Sequence, residues 1–132
     1  GLGLLRGYGL KRGAAATTVA HDSHNLIVLG TNARDMVVAA NELVRVQGGY
    51  TLVHKGQVVG TVPLNICGLM SSAVPEELIV SLDEIAALAH AQGVPNNIDP
   101  FISLSFMALP VIPRLKITDM GMFDVDKFEF VK

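Results

Sequence analysis

Ala14-Ala15-Ala16-Thr17-Thr18-Val19-Ala20-His21-Asp22-Ser23-His24-Asn25-Leu26-Ile27-Val28-Leu29-Gly30 joins two apolar runs through a block of polar residues. Short runs of small and branched apolar residues with punctuation at both ends read as strands, here over residues 14–20 and 26–30. The block between them must turn the chain. It places two imidazoles, a carboxylate, a hydroxyl and an amide in five consecutive positions. Such a density of polar groups at the edge of a core either satisfies the backbone of a tight loop or contacts a ligand.

Working outward, Asn32 is a good helix N-cap, with Asp35 three positions on. Met36, Ala40, Leu43 and Val44 follow at helical spacing, and Gly48-Gly49 stops the helix. Residues 50–55 and 57–64 form a hairpin about Lys55-Gly56, in which Val53 and Val58 share a face. A second helix starts near Pro75, carries Leu78, Leu82, Ile85 and Ala89 on one stripe, and ends at Gly93. Asp99 caps a short apolar helix that Pro110 ends, and short strands are expected near Lys116 and Phe128.

On the N-terminal side, residues 1–10 alternate glycine with larger residues, a pattern that suits an extended strand closely approached by a neighbour. It is not a G-x-G-x-x-G phosphate loop, because Arg6 stands at the third glycine position. The chain opens on Gly1 and not Met, which reads as an engineered or a processed piece. Strands in pairs with helices between them predict an α+β fold, an antiparallel or mixed sheet flanked by helices. No repeat or linker divides residues 1–132, so they read as one domain.

Half of the 132 residues are hydrophobic, enough for a sizeable core. A net charge of -2 provides no basic footprint for nucleic acid and no polybasic patch for an anionic membrane. A single cysteine cannot form an internal disulfide, which fits the cytoplasm. The charge-free stretch over residues 58–75 is interrupted by Pro63, Asn65 and two glycines, so no membrane span is expected. Lys11-Arg12 followed by an apolar run is too short and too polar at its end for a signal peptide.

Several chemistries compete for the polar block. A triad of Asp22, Ser23 and His24 fails, because the imidazole must sit between hydroxyl and carboxylate and sequence neighbours seldom point that way. A metal site on His21, Asp22 and His24 needs further ligands, and His54 and His90 lie where convergence is not expected. The plainest alternative is that Asp22, Ser23 and Asn25 satisfy backbone groups within the loop. His54 and His90 read as surface or core filler, and Cys67 as a small buried hydrophobe. The apolar residues of 101–109 read as core or interface.

The polar block resembles a segment in the C-terminal part of bacterial adenine deaminase, within the amidohydrolase superfamily, as does Gly9-Leu10-Lys11-Arg12-Gly13-Ala14 before it. Four later segments agree in order and spacing: Pro63-Leu64-Asn65-Ile66-Cys67-Gly68-Leu69-Met70-Ser71, Asp99-Pro100-Phe101, Leu104-Ser105-Phe106-Met107-Ala108-Leu109-Pro110-Val111-Ile112-Pro113, and Asp124-Val125-Asp126-Lys127-Phe128-Glu129-Phe130-Val131. The resemblance implies an accessory domain excised from a larger barrel enzyme that hydrolyses adenine to hypoxanthine and ammonia. In that superfamily the metal ligands lie on a (β/α)8 barrel and begin with a His-x-His pair, which this sequence lacks.

No cofactor is therefore expected in this piece, and a divalent metal (manganese, iron or zinc) is expected in the missing barrel. The implied partners are that N-terminal barrel domain of the same polypeptide, adenine as substrate, and further copies in a homo-oligomer. His21 or His24 could hydrogen-bond a purine nitrogen or shuttle a proton, and Asp22 could orient one of them or accept from the exocyclic amine. Ser23 and Asn25 read as loop formers first and as substrate contacts second. The alternative is a non-catalytic binding or oligomerisation module. The isolated chain is expected to fold and to be inactive.

Overall fold

A computed structural model gives the architecture and describes residues 1–131. Four strands form one antiparallel sheet in the order β2-β1-β3-β4, with β1 (Ala14–Thr17), β2 (Ile27–Gly30), β3 (Gly49–His54) and β4 (Gln57–Pro63). The two runs flanking the polar block pair with each other, Ala14 opposite Gly30 and Thr17 opposite Ile27. The expected hairpin also forms, with Val53 opposite Val58 and a register irregularity beside it.

The alanines of β1 explain the layering. Side chains alternate across a strand, and Ala14, Ala15 and Ala16 are all fully buried, so β1 is covered on both faces. On one face Ala14 and Ala16 meet Ala39 and Leu43 of α1 (Ala33–Arg45). On the other, Ala15 and Leu52 meet Ile85 and Ala89 of α2 (Pro75–Ala91), and Phe101 and Leu104 of α3 (Pro100–Ser105). Helices on both sides of an antiparallel sheet make this an α+β fold.

The caps form as expected. Asn32 Oδ1 accepts from the Asp35 backbone N–H, and Asp99 accepts from the N–H groups of Phe101 and Ile102. The inward face of α1 differs from its apolar spacing, since Val44 is exposed while Asp35 and Glu42 are buried. The two carboxylates tolerate burial because each is hydrogen-bonded. Asp35 accepts from Asn32 Nδ2 and the Gly56 N–H, and Glu42 from Thr61 and Arg45.

Two expectations need correction. Residues 1–10 form no strand. Close approach does hold at Gly3, where a Cβ would lie 2.6 Å from Met122 Cε, so this segment lies against a sheet without joining its ladder. The C-terminal strands number three and not two: β5 (Leu115–Thr118), β6 (Gly121–Asp124) and β7 (Glu129–Phe130) build a separate antiparallel sheet. β6 was missed because Gly121-Met122-Phe123-Asp124 is too short to show alternation. A 3-10 turn (Phe106–Ala108) connects α3 towards β5. No helix among the described residues is long and apolar enough to cross a membrane.

Candidate functional site

The polar block leaves β1 and returns as β2, and its backbone is held by threonines at its start. Thr18 Oγ1 accepts from the Gly49 N–H at 2.8 Å and donates to the Gly68 carbonyl at 2.7 Å. This one hydroxyl ties the loop both to the start of β3 and to the turn after β4. Thr17 Oγ1 accepts from the Val19 N–H at 2.9 Å. The His21 N–H reaches the Ser105 carbonyl at the end of α3.

His24 closes the loop on itself. Its N–H donates to the Ala20 carbonyl, and its Nδ1 accepts from the Ala20 N–H at 3.2 Å. A ring nitrogen that accepts carries no proton, so the hydrogen lies on Nε2, which remains a donor on this exposed residue. His24 adopts φ 51, a left-handed conformation a short tight loop can impose. The His21 ring is half-buried, 5.3 Å from the Phe106 ring and 5.8 Å from that of His24. Packing orients it.

Asp22, Ser23 and Asn25 behave differently. All three are exposed, and their side chains have no hydrogen-bond or ion-pair partner among the described residues. Reading Ser23 and Asn25 as loop formers is therefore a correction: the threonines and His24 do that work. Asp22, Ser23 and Asn25 instead line a cleft of about 550 Å³. Leu26, Ile27 and Val28 extend its wall along β2, and Pro110, Ile117, Thr118 and Asp119 contribute from the C-terminal sheet and its approach. Mixed polar and apolar walls at this size are typical of ligand clefts. His21 and His24 are not among its lining residues.

Thr118 and Asp119 escaped the sequence reading, since nothing near them in the chain marks a loop that faces residue 22. Elsewhere, His90 Nδ1 lies 3.0 Å from the Val94 carbonyl just past the end of α2, a structural role. Cys67 is exposed and not a buried hydrophobe, because it takes φ 57 in the turn closed by the Ile66–Met70 bridge. Among the described residues no three His, Cys, Asp or Glu side chains come together in a way that could hold a metal ion.

The family model described as adenine deaminase C-terminal domain matches residues 1–129. An adenine deaminase 2 of Carboxydothermus hydrogenoformans is 50% identical over 131 residues, which cover 99% of this chain and 23% of that protein. The adenine deaminase of Halalkalibacterium halodurans is 47% identical over 99% of this chain and 22% of its own length. That of Clostridium acetobutylicum is 50% identical, again over 99% of this chain and 23% of the relative. The chain thus spans under a quarter of the length of these curated relatives.

Proposed function

Because this chain belongs to the adenine deaminase C-terminal domain family, we propose that it serves a complete enzyme hydrolysing adenine to hypoxanthine and ammonia, and that its loop 18–25 faces the substrate. The observation that carries this reading is the division of labour within the loop. Thr17, Thr18 and His24 satisfy the backbone, which leaves Asp22, Ser23 and Asn25 unpaired at the edge of a cleft. Unpaired polar groups beside a concave surface are available to a ligand in a way that loop-forming groups are not.

Each side chain has a role its hydrogen-bonding state permits. Asp22 accepts from an N–H of the purine, and Ser23 and Asn25 offer further contacts at its edge. His24, with Nδ1 engaged by Ala20, presents Nε2–H as a donor. His21, whose ring packs against Phe106 and does not line the cleft, is assigned a proton relay or a hydrogen bond to a ring nitrogen at the loop's other side. The side chains present do not fit a divalent metal, as no three His, Cys, Asp or Glu side chains gather among the described residues in a way that could hold one. Manganese, iron or zinc would belong to the N-terminal barrel of the same polypeptide, and no metal-dependent step is assigned to this domain.

The test uses the full-length enzyme, with His21, Asp22 and His24 each replaced by alanine. Losing a positioned acid, base or orienting group lowers kcat/KM for adenine by about 10²- to 10⁴-fold, with bound metal and Tm unchanged for Asp22→Ala. Wild-type turnover in all three variants, or loss of activity only through unfolding, refutes the reading.

A further inference from the structure

We infer that Asp119, in the two-residue turn between β5 and β6, is a further substrate-binding carboxylate that accepts from an N–H edge of the purine in the cleft it shares with Asp22. The inference rests on the reading of loop 18–25 as facing the substrate. It starts from the cleft itself, which loop 18–25 and the β5–β6 turn build together although nearly a hundred residues separate them.

The ordinary explanation for an aspartate in a hairpin turn is that its carboxylate caps the turn's own backbone. Here that work is done without it. Thr118 pairs with Gly121 across the turn, and Thr118 Oγ1 donates to the Gly121 carbonyl at 2.8 Å. Gly121, at φ 134, supplies the conformation the reversal needs. Asp119 makes no hydrogen bond or ion pair among the described residues.

Two other carboxylates of this sheet are occupied, whereas Glu129 on β7 is exposed and has no ion pair among the described residues. Asp124 pairs with Lys127 and Asp126 with Arg114. Asp119 lines the cleft and is left without a cation. The same cleft has apolar walls from Leu26, Ile27, Val28 and Ile117, with Ser23, Asn25 and Thr118 as its other polar groups. Apolar walls with two carboxylates among the polar groups at the edge suit a flat ring that carries N–H donors. A carboxylate accepts from the amine of adenine but repels the carbonyl oxygen of hypoxanthine, so this arrangement favours substrate over product.

The experiment is Asp119→Asn in the full-length enzyme, with Asp126→Asn as a control on the same sheet. The expected result is a rise of about 10- to 100-fold in KM for adenine, stronger inhibition by hypoxanthine, an unchanged Tm, and a control that matches wild type. The asparagine amide can donate to a carbonyl oxygen, which a merely structural role would not reveal. An unchanged KM overturns the inference. So does a lowered Tm with KM unaltered, which means the carboxylate pairs with a cation of the neighbouring domain. If Asp119→Asn raises KM while the His21, Asp22 and His24 variants keep wild-type turnover, the loop reading fails and the Asp119 contact stands.

Discussion

Replacing Thr18 by valine separates the scaffold of the polar loop from its tip. Valine keeps the shape of threonine and removes only the hydroxyl, which both accepts from the buried Gly49 N–H and donates to the half-buried Gly68 carbonyl. A buried group left without its partner costs about 1–3 kcal/mol. Water can reach Gly68 in part, so the sum is put at about 2 kcal/mol. With an unfolding entropy of roughly 2.1 cal/mol/K per residue over 132 residues, that loss lowers Tm by about 7 °C. Thr18→Ser retains the hydroxyl and recovers most of the difference. Asp22→Asn, whose side chain has no partner among the described residues, shifts Tm by under about 2 °C, in line with the small effects of surface changes. Thermal and urea melts of the three variants, followed by circular dichroism, make the comparison. A Thr18→Val melt within 2 °C of wild type, or an Asp22→Asn loss as large as that of Thr18→Val, would refute the division between scaffold and tip.

Two further outcomes follow from the buried carboxylates and from the side chains this chain carries by itself. Hydrogen bonds from the Asn32 side chain and the Gly56 N–H hold the Asp35 carboxyl below its ordinary 3.8, and those from Arg45 and Thr61 hold Glu42 below 4.5. A depressed folded-state value contributes stability above the unfolded value that is lost as pH falls through it. The urea midpoint should therefore be level from pH 7 to about 5 and decline below about 4.5, with a weaker decline in Asp35→Asn; a midpoint constant down to pH 3 would contradict this. The 132-residue chain alone should melt cooperatively and release no ammonia from adenine, since its side chains do not fit a metal. Turnover that persists after contaminating host deaminase is removed would count against that expectation.

The sequence by itself determined those elements whose signals act over a few residues. The cap at Asn32, the turn at Lys55-Gly56, the proline at the start of α2 and the cap at Asp99 each act within about one turn of chain, and each was legible. The polar block could be recognised as a loop, and its resemblance pointed to the family. Which of its side chains are free could not be read, because that depends on partners distant in sequence: Thr18 binds a carbonyl 50 residues away, and the Tyr8 hydroxyl donates to the Pro100 carbonyl across 92. The same holds for α1, where apolar spacing suggested Val44 inside. Thr61 and Gly56, brought up by β4 and the hairpin, make burial of Glu42 and Asp35 affordable instead. Asp119 joins Asp22 at one cleft only after the C-terminal sheet has packed near β2. Local hydrogen bonds and periodicity are written in adjacent residues, whereas the lining of a cleft is a property of the assembled chain, and only the tertiary structure decides it.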